Sequence, residues 1–226
     1  MCFRRGVFLD KVLSVKGLAR FTSPKISRQN LKAKVLCTNH NSELSDLDSE
    51  AKTLSDALRT HLQLTSPMQS RIRIDGWKIE RWCMKCGHNL LSSRWLGDRP
   101  FLPDPAVVGI IFGSARLGLD AGLFVVKKPE VTLNAGTDQV GWSVINDSNN
   151  EADIHGFYFQ LHGLGLFVTT RHGDPTPALR SANLSANALD WSQAELTHRP
   201  AAMDVSFRRN EWAVHESARL TIEFTW

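Results

Sequence analysis

Seven short runs of β-branched and aromatic residues fill the second half of the chain, and they constrain the fold more than any other feature. Asn, Asp, Gly and Pro separate the runs, and several runs alternate apolar and polar residues, as half-buried strands do. This pattern predicts a mostly antiparallel sheet, arranged either as a sandwich or as one strongly curved sheet. The predicted strands are residues 107–113, 122–128, 130–135, 140–147, 154–170, 203–209 and 218–226.

Between these runs, two features call for a local interpretation. Gly163 and Gly165 fall inside the longest run, where they predict a bulge or a bend. Residues 174–200 are rich in small side chains and predict a long loop with a short helix around residues 187–196. The seven Trp residues are expected in the core or at its rim.

The spacing of apolar residues predicts helices in the front part of the chain. Residues at steps of three and four share one helical face, so they predict one helix from about Ser45 that stops before Pro67, with Ser42 or Ser45 as N-cap. The same spacing predicts a second helix from about Asp75 to Leu91. The two apolar faces consist of Leu44, Leu47, Ala51, Leu54, Leu58 and Leu62, and of Ile79, Cys83, Cys86 and Leu90.

The predicted fold class is therefore α+β, with a basic arm and two helices in residues 1–100 and an antiparallel β-rich domain in residues 101–226. Hydrophobic residues make up 42% of the chain and charged residues 22%, as in ordinary globular proteins. No apolar stretch is long enough to cross a membrane. Four spread cysteines do not form a disulfide framework, which favours a reducing compartment. We expect a bacterial, cytoplasmic protein without a membrane partner.

Positive charge is concentrated at the N-terminus. Residues 1–35 contain nine Lys or Arg and one acidic residue, whereas residues 101–226 contain nine basic and fourteen acidic residues. A basic segment attracts polyanions such as DNA, and Arg28, Lys32 and Lys34 are the predicted nucleic-acid contacts. The alternative is a solvated basic arm without a partner.

Two cysteine-containing spacings predict a zinc site. Cys37 and His40 have a C-x2-H spacing, and Cys83 and Cys86 have a C-x2-C spacing followed by Gly. Two thiolates from one motif and a thiolate and an imidazole from the other would complete a four-ligand zinc site. The alternative follows from the helix pattern, because Cys83 and Cys86 also fall on its apolar face and buried cysteines pack as small hydrophobic residues.

Two segments carry a family resemblance: SRQNLKAKVLCTNHNSELSDLDSE (27–50) and IDGWKIERWCMKCGHNLL (74–91). They resemble a group of uncharacterised bacterial proteins related to HNH endonucleases, and the match covers about residues 27–95. The resemblance implies that Cys37 and His40 are structural-metal ligands and that Asn41 lies next to a catalytic metal. It also implies that Cys83 and Cys86 occupy ordinary helix positions.

The chain departs from this family where catalysis would begin. HNH nucleases use a His upstream of this motif as general base beside a divalent ion, and no His precedes His40 here. The expected function is that of a degenerate or truncated HNH-like protein without catalytic activity, which contacts nucleic acid through its basic N-terminus. Two alternatives remain: a metal-dependent nuclease whose other residues lie upstream, and a β-sandwich module that binds a protein or ligand without metal or nucleic acid.

Overall fold

The computed structural model describes residues 12–14, 25–27, 38–92, 104–127, 131–132, 140–147, 150–171, 173, 195–209, 212–213 and 216–226. Over these residues the protein has the predicted α+β class. The helices are α1 Thr38–Glu43, α2 Ser45–Leu62, α3 Gly76–Ser92 and α4 Pro105–Phe112. The strands are β1 Val12–Ser14, β2 Lys25–Ser27, β3 Gln69–Asp75, β4 Gly122–Lys127, β5 Val131–Thr132, β6 Val140–Asp147, β7 Asn150–Leu161, β8 Leu164–Thr169, β9 Glu195–His198, β10 Ala202–Arg208 and β11 Ala218–Thr225.

Two larger sheets organise the described strands. The five-stranded sheet has the order β6-β7-β8-β4-β9, and all its pairs are antiparallel. The four-stranded sheet has the order β3-β11-β10-β5, in which β11 is antiparallel to β10 and parallel to β3. Strands β1 and β2 form a separate antiparallel pair. The C-terminal strand β11 therefore lies inside a sheet, between β3 and β10.

Strand β3 joins the helical front of the chain to the β-rich back. It pairs with β11 along its whole length, from Gln69 opposite Arg219 to Asp75 opposite Thr225. Buried apolar residues from both parts, from Leu44 to Phe224, belong to one hydrophobic core. Helix α3 contacts β3 and β11 of one sheet and β7 and β8 of the other. The described residues on the two sides of position 100 thus share a sheet and a core.

Helices α2 and α3 confirm the prediction from apolar spacing. Helix α2 buries its leucine face and ends at Leu62, as expected. Its N-cap residue is Leu44, without a side-chain cap bond, so the prediction of Ser42 or Ser45 was wrong. The reason is that α1 runs almost directly into α2. At the start of α3, the Asp75 side chain accepts a hydrogen bond from the Lys78 backbone N–H at 3.1 Å, which satisfies a free donor of the first turn.

The prediction of a strand at residues 107–113 was wrong, because Pro105–Phe112 forms helix α4. Local chemistry favours the helix at both ends. Asp104 caps it by accepting from the Ala106 N–H, Pro105 occupies the first position, and Gly113 ends it with φ 78°. A short apolar run has no periodicity that distinguishes a buried helix from a buried strand.

The long run at residues 154–170 is a hairpin and not one continuous strand. Its two arms, β7 and β8, meet at a turn of His162 and Gly163, which have φ of 48° and 90°. Further along, Glu195–His198 is strand β9, where the sequence predicted the end of a helix, while residues 187–194 lie outside the described residues. None of the described helices is both long and apolar enough to cross a membrane.

Candidate functional site

Four of the predicted site residues lie outside the described residues. They are the three nucleic-acid residues Arg28, Lys32 and Lys34 and the metal ligand Cys37. Their roles stay predictions. The second predicted ligand of the C-x2-H motif, His40, lies exposed on α1. Its ring centroid is 5.3 Å from that of Phe112 on α4.

Cys83 and Cys86 lie on the buried face of α3, and both are completely buried. Burial, and then the nearby Glu80 carboxylate, raises the pKa of the Cys83 thiol well above its usual value. The thiol of Cys83 therefore stays protonated in this environment. Among the described residues, no three His, Cys, Asp or Glu side chains are gathered in the way that a metal ion requires. The zinc site that includes Cys37 stays a prediction.

A group of basic side chains lies on the outer side of the four-stranded sheet. Alternation along β3 turns Ile74 into the core and Arg71 and Arg73 to solvent, where 70% and 75% of their side-chain surface is exposed. The strand register places Arg219 opposite Gln69, and Arg219 is exposed on the same side. This surface is called the arginine face and consists of Arg71, Arg73, Arg208 and Arg219.

Two carboxylates share this surface with the four arginines. Glu223 accepts a hydrogen bond from Arg71 Nη1 at 2.9 Å, and its second oxygen lies 3.7 Å from Arg73 Nη2. Asp204 accepts from the Thr221 hydroxyl at 2.6 Å. Exposed ion pairs contribute only about 0–1 kcal/mol to stability. The pairs with Glu223 therefore orient the guanidinium groups of Arg71 and Arg73, which can still bind a ligand.

Two indole rings and two guanidinium groups meet where β3 and β11 end. They are called the Trp77 cluster, which consists of Trp77, Trp226, Arg116 and Arg199. Trp77 is the second residue of α3, and its ring lies edge-on to Trp226 at 5.5 Å. The guanidinium carbons of Arg116 and Arg199 lie 4.4 Å and 4.6 Å from the Trp77 ring centroid. Both distances fall within the range of cation–π attraction.

Arg199 is fixed from behind by the buried Glu80. The Arg199 Nε and Nη2 atoms donate to the two Glu80 oxygens, both at 3.0 Å, and Glu80 Oε2 also accepts from the Leu123 N–H at 2.8 Å. Gly122 makes room for this pair, because a Cβ there would lie 2.5 Å from Glu80 Oε2. Arg199 itself has φ 38°, which the bidentate ion pair holds in place.

Polar pairs also occur inside the core. Lys85 and Asp48, both 1% exposed, form an ion pair at 2.8 Å between α3 and α2. The Ser55 hydroxyl lies 3.0 Å from His162 Nε2, which joins α2 to the β7–β8 turn. Both residues of this second pair are buried, so the pair connects elements and offers no open nucleophile.

Sequence reasoning missed the arginine face and the Trp77 cluster. The alternating RIRID run at residues 71–75 is a strand signal that could have revealed the exposed arginines. By contrast, Glu80 and Arg199 are 119 positions apart, and no local pattern connects them. Comparison with protein-family models, curated proteins and solved structures finds no match for the chain.

Proposed function

We propose that the protein binds nucleic acid without cleaving it, and that the arginine face contacts the phosphate backbone. One observation carries this proposal: Arg71, Arg73 and Arg219 are exposed neighbours on one side of the four-stranded sheet. Neutralising phosphates releases counterions and supplies most of the affinity of a sequence-independent contact.

The chemistry of this surface suits phosphate. A guanidinium group donates two parallel hydrogen bonds to phosphate oxygens, which a lysine ammonium cannot do. Ser206, opposite Arg219 in the strand register, lies on the same side of the sheet, and hydroxyls are common donors to the backbone. Glu223 is the group that phosphate must displace, at the small cost of opening an exposed pair.

The basic N-terminal segment adds to the same proposal. Arg28, Lys32 and Lys34 would extend the positive surface, and the family resemblance points to the same class of ligand. Residues 1–39 contain no His that could act as the general base of an HNH nuclease, so the proposal is restricted to binding.

The test is the affinity for a labelled duplex of about 20 base pairs, measured by fluorescence anisotropy between about 50 and 200 mM salt. Arg71→Gln, Arg73→Gln and Arg219→Gln are each expected to weaken binding and to reduce the slope of log affinity against log salt by about 0.9. The matched control is Lys52→Gln on α2, which removes one charge from a side chain that is 47% exposed. Lys32→Gln and Lys34→Gln test the N-terminal segment.

Two outcomes would contradict the proposal. If Lys52→Gln weakens the affinity for the duplex as much as the arginine variants do, the effect comes from net charge alone and the arginine face is not the binding site. Absence of binding at low salt would favour the β-sandwich binding module instead. That alternative expects an exposed apolar patch on a sheet, whereas the exposed large apolar side chains among the described residues, Met68 and Leu119, lie outside the strands. Shorter fragments after addition of Mg²⁺ or Mn²⁺ would contradict binding without cleavage.

A further inference from the structure

We propose that Trp77 is a stacking platform for an unpaired base, so that the preferred ligand is single-stranded nucleic acid. This inference rests on the proposed function, because it requires a phosphate backbone bound nearby. Proteins that hold single strands combine a positively charged track for the backbone with aromatic rings on which bases stack. The arginine face and Trp77 supply these two parts.

The two parts are close along the chain. Trp77 follows Arg73 by four residues, and four residues span at most about 14 Å even when fully extended. Strands β3 and β11 are parallel, so both end at the same edge of the sheet, where Trp77 follows one strand and Trp226 the other. A nucleic-acid strand that runs along β3 and continues past its end would come to Trp77 within a few nucleotides.

Trp77 has surroundings that differ from those of the other described Trp residues. Trp82 is completely buried, and Trp142, Trp212 and Trp226 pack against the hydrophobic core. The half-buried Trp77 ring instead contacts two guanidinium groups and the edge of Trp226. The Trp77 ring therefore contacts charged groups, of which Arg116 is exposed, and Trp77 is not among the side chains that pack against the core.

The two guanidinium groups have different freedom to move. Arg199 is 13% exposed and fixed to the buried Glu80 by two hydrogen bonds, so it supports the indole from a constant position. Arg116 is exposed, and its guanidinium lies over the Trp77 ring. Trp226 fixes the edge of the platform: a Cβ at Gly76 would lie 2.7 Å from it, and its Nε1 donates to the Pro200 carbonyl.

A base can replace Arg116 on the ring with a net gain. An exposed cation–π contact contributes about 2- to 5-fold in affinity, whereas a stacked base contributes about 5- to 100-fold. The displaced Arg116 keeps its charge and can pair with a phosphate of the same strand. Bases in a duplex are already paired and stacked, so a duplex gains only the backbone contacts.

The first experiment uses the unmodified protein. Its affinity is measured by fluorescence anisotropy for a single DNA strand, for an abasic strand of the same length, and for the corresponding duplex. We expect the abasic strand to bind about 5- to 100-fold more weakly than the normal strand, since it keeps the phosphates and lacks the bases that would stack on Trp77. Equal affinity for the normal and abasic strands would overturn the inference and leave the proposed function standing. Failure to bind any of the three would overturn the proposed function itself.

The second experiment changes the platform. Trp77→Leu is expected to lower single-strand affinity at least about 5-fold and to leave duplex affinity within about 2-fold, while Trp77→Phe keeps a smaller ring and gives an intermediate value. The control is Leu119→Ala, which removes a side chain that is 87% exposed and lies in the same loop as Arg116. Parallel losses for single strand and duplex in Trp77→Leu, or no loss in either, would overturn the platform.

Discussion

His88 illustrates, at the scale of a single residue, how burial sets the behaviour of an ionisable group. It lies on the buried side of α3, with its ring centroid 5.3 Å from that of Phe157. Burial lowers the pKa of His88 from 6.5 to about 4, and the smaller opposing influence of the Asp104 carboxylate does not restore it. The folded protein therefore holds this imidazole neutral at pH values where the unfolded chain would protonate it.

This difference predicts a loss of stability in acid. Between pH 6.5 and about 4 the unfolded state binds more protons at His88 than the folded state does, so the free energy of unfolding decreases as the pH decreases. Above pH 6.5 the ionisation of His88 does not change the free energy of unfolding. Across the window down to about pH 4 it lowers that free energy by at most about 3 kcal/mol. Urea unfolding at several pH values between 7 and 4 measures it. His88→Leu should flatten the dependence over this window, and an unchanged slope in that variant would contradict the assignment.

At the scale of elements, the sequence predicts best where an element's own period is strong. Helices α2 and α3 follow from leucines and cysteines at steps of three and four, and β4, β6 and β11 follow from their β-branched runs. Strand β3 was missed although the alternating residues 71–75 are a local strand signal, and only its pairing with β11, about 150 positions away in the chain, leaves no local mark. Helix α4 was misassigned, although Asp104, Pro105 and Gly113 are ordinary helix-boundary residues.

The cysteines of α3 give a prediction at this scale. Cys83 and Cys86 belong to the apolar face that makes α3 a helix of the core, so we expect their thiols to react with a thiol reagent only as the protein unfolds. The measurement is the rate of thiol modification with and without denaturant, in a Cys2→Ser and Cys37→Ser background that isolates the two thiols.

A chelator separates burial from zinc ligation in a second form of the assay, run on a Cys2→Ser protein that retains Cys37. If burial alone protects the two thiols, the modification rate in native protein is the same with and without EDTA. If zinc protects them, EDTA accelerates modification and metal analysis finds close to one zinc per chain in the protein that retains Cys37. That second result would contradict the assignment of Cys83 and Cys86 to the core and would support the four-ligand site.

At the scale of the whole molecule, the candidate site depends on contacts that a sequence does not display. The arginine face exists because β3 and β11 pair, and the Trp77 cluster exists because Glu80 on α3 reaches Arg199 beyond β9. The sequence shows which side chains are apolar or charged, and local periodicity indicates the elements in which they lie. The partner of each buried charge depends instead on how distant elements pack together.

Glu80 joins helix α3 to the five-stranded sheet and to the connection that leads from it into the four-stranded sheet. It accepts from the Leu123 N–H of β4 and pairs with Arg199, which directly follows β9 and precedes β10 of the four-stranded sheet. Its side chain is 2% exposed. Removing one partner from a buried ion pair leaves an uncompensated charge, which costs about 3–5 kcal/mol.

We therefore expect Glu80→Gln to lower the free energy of unfolding by about 3–5 kcal/mol, because Arg199 then keeps its charge without the carboxylate. The control on the same helix is Lys78→Gln, which removes the half-exposed pair with Asp46 and should cost at most about 1 kcal/mol. Urea unfolding followed by both far-ultraviolet circular dichroism and Trp fluorescence measures the change. Since Glu80 ties α3 to the five-stranded sheet and to the connection between the two sheets, the two signals should shift together in the variant. Separate transitions, or equal losses in the two variants, would show that the sheets are stabilised independently of this ion pair.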